Sequence, residues 1–373
     1  MKWFFWASVF ALLYTYLGYP CWLYLRARMR PRTVRKSPFM GSFSIVIAAH
    51  NEAANIGRKL DNLTALGLPT SRGEVLVVSD GSTDGTNQIL ASQACPGLRA
   101  LFQEPRAGKA VALNLGIKEA SGDVVVFMDA RQTIEPGAIE NLLANFADPL
   151  VGCVSGALMI GQQNRAGAVY GETVKMAFEN KIRSWEGRSG SMIGAAGAFY
   201  AVRRELAPTI PAGTLLDDMY VPLHALKSGA RVVLEEQARA WDDLSPSLSQ
   251  EYGRKVRTLT GNYQLIQLLP WLLTWSNPVL FEFISHKIFR LLSPFALVLL
   301  LLTSILLPGP IPKITLVLQS AFYLLAAIGL IPLPGKGIIH KISNLALSFV
   351  TLNAAAAMAF VNAMRQKSDV WLR

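Results

Sequence analysis

The apolar residues of this chain gather into long runs at its two ends and short runs in its middle. Residues 3–25 are almost wholly apolar, rich in Trp and Tyr, and long enough to span a bilayer. Three further apolar spans, 291–307, 314–331 and 342–361, lie towards the other end. Residues 268–283 mix Trp271, Trp275 and prolines with leucines, which suits a segment in the membrane interface. Between the ends the period changes. Short apolar runs closed by polar turns predict strands over 42–49, 75–79, 98–103 and 124–128, alternating with helices over 55–66, 86–93 and 109–118. A helix over 136–145, a strand over 152–159 and a long amphipathic helix over 166–188 follow. Residues 190–200 read as a small, flexible stretch, 215–227 as a helix, 230–234 as a last strand and 245–267 as a basic helix. Strands alternating with helices imply an α/β domain with a mostly parallel sheet. The chain then divides into an N-terminal transmembrane anchor with a basic juxtamembrane segment (1–36), a cytosolic domain (37–267), and interfacial and transmembrane helices (268–373).

Charge adds a surface. With 36 Lys and Arg against 25 Asp and Glu, the chain carries +11, and much of the excess lies beside apolar spans, as in the cluster from Arg26 to Lys36. That placement favours membrane lipids over nucleic acid as the anionic partner. By the positive-inside rule it puts the following domain in the cytosol. One span before that domain and three after it put the C-terminus outside, yet Arg365, Lys367 and Arg373 favour the inside, so topology at that end stays open. The three cysteines, Cys21, Cys95 and Cys153, are far apart and form no metal spacing or disulfide framework. His50, His224, His286 and His340 are equally scattered.

The candidate chemistry lies at strand ends. The run Ser79-Asp80-Gly81-Ser82-Thr83-Asp84 closes the second strand, and Asp80 is expected to face a ligand there, because open α/β sheets bind ligands at their carboxyl edge. Asp129 closes the fourth strand, and Asp217 and Asp218 begin a helix. Carboxylates suit a phosphate ligand only with a divalent cation between them, here Mg²⁺ or Mn²⁺. Lys109 and the pair Arg254 and Arg257 supply direct positive charge. A carboxylate not consumed by metal can deprotonate an attacking hydroxyl. For each there is a plainer alternative: helix caps for Asp129 and the Asp217-Asp218 pair, a solvated Lys109, a lipid-headgroup face for Arg254 and Arg257, and a tight turn for Gly194 to Gly197.

This order of motifs resembles the family 2 inverting glycosyltransferases of GT-A fold, in the membrane-embedded branch that includes cellulose, hyaluronan and poly-N-acetylglucosamine synthases. The opening strand ends in Asn51-Glu52, as in that family. The Val-Ser-Asp-Gly-Ser-Thr-Asp turn corresponds to the segment whose Asp, here Asp80, contacts uracil. Gly108-Lys109-Ala110 matches a nucleotide-side loop. Asp129-Ala130-Arg131 falls on the Asp-x-Asp motif, whose first Asp holds the metal with the diphosphate. Asp217-Asp218 falls on Thr-Glu-Asp, whose last residue is the base. Residues 254–258 fall on Gln-x-x-Arg-Trp, whose Arg grips the diphosphate and whose Trp meets the acceptor. Arg131, Arg254 and Thr258 depart from these patterns.

The resemblance implies an enzyme, a membrane-embedded hexosyltransferase that moves a sugar from a UDP-sugar to a lipid or glycan acceptor at the cytosolic face of a bacterial inner membrane. Asp218 is the base. Asn51, Glu52, Asp80, Lys109, Asp129, Arg131, Arg254 and Arg257 serve the donor, and Asp129 also the metal. Asp217, Gly194, Gly197 and Thr258 lie on the acceptor side. A processive polysaccharide synthase and a non-catalytic GT-A-like scaffold or sensor are the alternatives.

Overall fold

The computed structural model describes residues 1–161, 174–242, 248–331 and 338–365. The first part of the helix expected over 166–188, the first residues of the one expected over 245–267, and the terminal Lys367 and Arg373 lie outside these. The chain forms two compact units: Leu23–Leu244 with Trp275–Val279, and Met1–Trp22 with Ser245–Thr274 and Leu280–Arg373.

Among the described residues the first of these is built on one eight-stranded sheet of order β3-β2-β1-β4-β7-β6-β8-β5. Its strands are β1 (Phe43–Ala49), β2 (Gly73–Asp80), β3 (Leu98–Gln103), β4 (Val124–Asp129), β5 (Thr133–Ile134), β6 (Val151–Ile160), β7 (Phe199–Arg203) and β8 (Arg231–Asp242). The helices of this unit, numbered along the whole chain, are α2 (Ala53–Ala65), α3 (Thr86–Ser92), α4 (Lys109–Glu119), α5 (Ala138–Ala144), α6 (Val174–Ser189) and α7 (Asp217–Lys227). Strands β1 to β4 pair in parallel, as the alternating pattern requires. One face buries Ile45, Ile47, Val75, Val77, Val124 and Val126 against Ile56, Leu60 and Leu63 of α2 and Leu142 of α5. On the other face α4 comes so close that a Cβ on Gly116 would lie 2.4 Å from Val46. Burial of both faces explains why these strands read as unbroken apolar runs.

The second half of the sheet departs from expectation. β7 runs antiparallel between β4 and β6, and β5 antiparallel to β8, so the sheet is mixed, although β6 and β8 are parallel. Part of β7 lies inside the stretch read as flexible. That stretch is pinned: Met192 N–H donates to Val232 O (2.8 Å), Ala195 N–H to Asp218 O (2.8 Å) and Ala196 N–H to Ser155 Oγ (2.9 Å). Small residues mark close packing here, not mobility. β8 runs well past Leu234, because residues 236–238 bulge out between the Gly156–Glu235 and Ala157–Arg239 pairings. The polar run Glu235-Glu236-Gln237 therefore interrupts the pattern without ending the strand.

The other unit is helical. It comprises the start of α1 (Lys2–Met29), then α8 (Leu248–Leu268), α9 (Leu280–Leu306), α10 (Pro310–Ile328) and α11 (Ile338–Met364). Helices α1, α9, α10 and residues 341–364 of α11 are long and apolar enough to cross a membrane, as the four runs predict. Leu306, Val317, Leu318, Leu324 and Leu345 are exposed on them. Inside, the Tyr14 hydroxyl meets Ser285 Oγ at 2.7 Å, and its ring lies 5.1 Å from that of Phe289. Helix α8, read from the sequence as the end of the sheet domain, groups instead with the apolar helices, where Tyr263 packs against Phe360 at 6.2 Å.

Candidate active site

Strands β1, β2 and β4 end along one edge, with Ala48 opposite Asp129 and Ala49 opposite Ser79. β7, being antiparallel, begins at that same edge: Asp129 N–H donates to Ala198 O at 3.3 Å. Four segments distant in sequence thus converge there.

The turns after β1 and β2 lock each other. Asn51 has φ of 53°, in the left-handed region; its N–H donates to Ser82 Oγ (3.1 Å) and its Oδ1 accepts Thr83 N–H (2.8 Å). Glu52 accepts from Asn55 Nδ2 at 2.7 Å. Exposed Asp84 accepts from Ala53 N–H (3.0 Å) and from the N–H (3.1 Å) and hydroxyl (2.6 Å) of Thr86, tying the starts of α2 and α3 together. Its role is that of a cap. Asp80 differs from expectation too. It is 2% exposed, and its carboxylate accepts from Gln103 Nε2, Ala107 N–H and Gly108 N–H, each at 2.7 Å. It faces the loop that leads into α4, and so sets where Lys109 emerges.

Lys109 opens α4 and reaches two carboxylates, Asp129 Oδ1 at 3.0 Å and Asp217 Oδ2 at 3.5 Å. Burial opposes its charge, but Asp129, Asp217 and Asp218 outweigh that and hold its pKa above the ordinary lysine value. Asp217 is buried, while the Asp129 side chain is 37% exposed. Burial first, and then the charge of Asp217, push Asp218 up to about 6, against the pull of Lys109 and Arg183. Three carboxylates thus act on the Lys109 ammonium, with Arg183 a further positive charge near Asp218.

Gly194 and Gly197 make room for this cluster. A Cβ on Gly197 would lie 2.9 Å from Asp218 Oδ2 and 3.3 Å from its Cβ; one on Gly194 would lie 2.8 Å from Met219 Cγ. Both glycines thus touch the base candidate's own segment. Beneath lies Tyr200, fully buried, its ring stacked on Phe127 at 4.7 Å; its hydroxyl has no hydrogen-bond partner among the described residues.

Arg131 does not project as a free phosphate ligand. Its Nε and Nη2 donate to the two oxygens of Asp242 at 2.9 and 2.7 Å. The backbone around it is held separately by α2: Arg58 Nη2 donates to Arg131 O (3.1 Å), Lys59 Nζ to Gln132 O (2.9 Å) and Asn62 Nδ2 to Ile134 O (3.0 Å). Burial lowers the pKa of Lys59 to about 7, although Asp129 pulls the other way. Sequence reasoning missed Asp242, Lys59, Gln103 and Tyr200. Asp242 carried the same signal as Asp129, an acid closing a strand, but the strand was ended too early. Lys59, on a helical apolar face, carried none.

Arg254, Arg257 and Thr258 lie on α8 in the helical unit, where Thr258 Oγ1 donates to Arg254 O at 2.9 Å within the helix.

Among the described residues no group of three or more His, Cys, Asp or Glu is placed to hold a metal on its own. One partly open carboxylate, Asp129, beside Asp217 and Asp218 still fits Mg²⁺ or Mn²⁺, since such ions are commonly held by one or two carboxylates with substrate phosphates and water.

Comparison with known proteins bears on the family and the fold. Residues 44–209 match Glycosyl transferase family 2. Glycosyltransferase AglE of Haloferax volcanii is 40% identical over 88 residues, 23% of this chain and 29% of that protein. The poly-beta-1,6-N-acetyl-D-glucosamine synthase of Staphylococcus aureus is 26% identical over 233 residues, 60% of this chain and 55% of the synthase. The chain thus matches about half of the synthase's length and less than a third of AglE's. Among solved structures, the mannosyltransferase PcManGT from Pyrobaculum calidifontis, in complex with GDP-Man and Mn²⁺, superposes with a TM-score of 0.72 at 21% identity, covering 96% of this chain and 99% of that one. Residues 44–209 are therefore a Glycosyl transferase family 2 domain, carried on a GT-A fold.

Proposed function

We propose that this chain is a membrane-embedded inverting glycosyltransferase, which moves a sugar from a nucleoside diphosphate donor to a hydroxyl of a lipid or glycan acceptor at the cytosolic face. One observation carries the reading: Asp129, Asp217 and Asp218 surround Lys109 at the carboxyl edge of the sheet, with the pKa of Asp218 pushed up to about 6. A carboxylate of that pKa is ionised at neutral pH yet more basic than an ordinary aspartate, which suits proton abstraction. Asp218 takes the acceptor's proton as that oxygen attacks the anomeric carbon from the face opposite the diphosphate. Gly197 keeps the space beside its carboxylate clear. Lys109 balances the charge of Asp129 and Asp217 and presents its ammonium to the donor phosphates. A Mg²⁺ or Mn²⁺ held by Asp129 would supply positive charge to the departing diphosphate.

The motif resemblance points to UDP-sugars, and the GDP-Man bound by PcManGT brings purine donors into the same test. Purified full-length protein, supplied with membrane lipids, is to be assayed with UDP-glucose, UDP-N-acetylglucosamine, UDP-galactose and GDP-mannose. We expect nucleoside diphosphate release with one of them, lost in Asp218→Asn. No release with any donor would overturn the reading, and nucleotide binding without turnover would favour a non-catalytic sensor. With Thr258 where polysaccharide synthases have Trp, the product is one or few sugars on a lipid-type acceptor. A high-molecular-weight product made from donor alone would indicate a processive synthase instead.

A further inference from the structure

Arg131 stands two residues past Asp129, beside a centre that suits a divalent cation, and a free guanidinium there would compete with one. Asp129 and Glu52 both lie close enough to favour the charged form of Arg131. What occupies its guanidinium instead is Asp242 at the end of β8, which accepts from Nε and Nη2 in a two-pronged pair. The Asp242 side chain is 7% exposed and that of Arg131 44%. The loop backbone has holders apart from this pair: Arg58, Lys59 and Asn62 of α2 bind the carbonyls of Arg131, Gln132 and Ile134. Its direct consequence is electrostatic: it neutralises the Arg131 guanidinium.

We propose that Asp242 is the counter-ion that keeps the donor site a cation site: by holding both prongs of Arg131, it prevents this guanidinium from pairing with Asp129 or with a diphosphate in place of the metal. Asp242 is thus a positioning residue for donor binding. The inference rests on the donor reading above. It also accounts for an arginine at the place where the resembling motif has a second aspartate, since a neutralised arginine adds no further positive charge at Asp129, whose Oδ1 already accepts from Lys109.

The test is binding of Mn²⁺ to the purified full-length protein in detergent, followed by electron paramagnetic resonance of free Mn²⁺, with UDP or GDP present. In Asp242→Asn the released Arg131 should weaken Mn²⁺ binding by roughly tenfold or more, the usual scale for residues that orient a metal site. Metal-free nucleotide binding should tighten in the same variant. In Arg131→Gln with Asp242→Asn the competing cation is gone, and Mn²⁺ affinity should return to within about threefold of the parent. A purely structural latch would leave the double variant as weak as the single one, and that result would overturn the proposal, as would unchanged Mn²⁺ binding in Asp242→Asn. Arg131→Gln alone removes the competing cation, although it leaves the buried Asp242 carboxylate without its partner; it should bind Mn²⁺ at least as well as the parent, and weaker binding would also refute the idea. Absence of Mn²⁺-dependent nucleotide binding in the parent protein would overturn the donor reading together with this one, whereas altered variants cannot be mistaken for that failure.

Discussion

Asp218 is where burial and charge meet most directly, and its behaviour with pH has a definite sign. Its folded pKa of about 6 lies above the ordinary 3.8, so the folded state binds the extra proton between those values. Its contribution to stability is therefore present at low pH and lost as pH rises through that window. Activity runs the other way, because a protonated base cannot accept a proton. Turnover should fall below about pH 6 on a limb assigned to Asp218. Asp218→Asn should lower turnover by roughly two to four orders of magnitude with donor binding retained, and it should raise the melting temperature at pH 7.5. Parent-like turnover would remove Asp218 from its role. Gly197→Ala tests the same site sterically. Its Cβ would lie 2.9 Å from Asp218 Oδ2, and displacing a reacting group by about 1 Å costs about 10²-fold. The expected outcome is a lower kcat with nucleotide affinity unchanged; an unaltered kcat would show that the carboxylate adapts.

At the scale of elements, α4 matters because its first residue is Lys109, and what aims it is Asp80 across the preceding loop. Asp80→Ala would strip three donors, Gln103 Nε2 and the N–H groups of Ala107 and Gly108, of their acceptor. Each group left unpaired costs about 1–3 kcal/mol. Loss of stability in denaturant titrations should therefore accompany weaker nucleotide binding. A variant that loses donor affinity with no loss of stability would instead support direct contact between Asp80 and the base. The strand ends were legible because a parallel strand buried on both faces must read as a β-branched run and must stop at polar residues. β7 was not legible: Ala198, Phe199, Tyr200 and Ala201 follow a run of glycines and alanines, and small residues look alike whether they are mobile or packed against a neighbour. The full length of β8 was hidden by its bulge.

For the whole molecule, the helices at both ends are compatible with a membrane protein. Among the described residues four helices are long and apolar enough to cross a membrane, and the basic cluster from Arg26 to Lys36 follows the first. A cysteine-accessibility map should find Gly73, at the start of β2, on the cytosolic side. Labelling from outside in intact cells would overturn both the orientation and the use of cytosolic nucleotide sugars. Activity should also require a divalent metal, because Asp129 facing a diphosphate without one would be repulsive. Thorough EDTA treatment is expected to abolish transfer, and added Mn²⁺ or Mg²⁺ to restore it. Undiminished transfer after EDTA would exclude the metal role of Asp129.

From the sequence alone came the element periods, the four apolar spans, the parallel half of the sheet and the acids that close its strands. All of these are local: a strand or span declares itself through side chains a few residues apart, and a turn through its Gly and Asp. What only the tertiary structure decided are the partners. Asp80 turned inward onto its loop, Lys109 came to lie between Asp129 and Asp217, and Gly197 came against Asp218. Arg131 found Asp242, more than a hundred residues away along the chain. Which charge neutralises which depends on distance in space, and the order of residues carries that distance only after the sheet has brought its strand ends to a common edge.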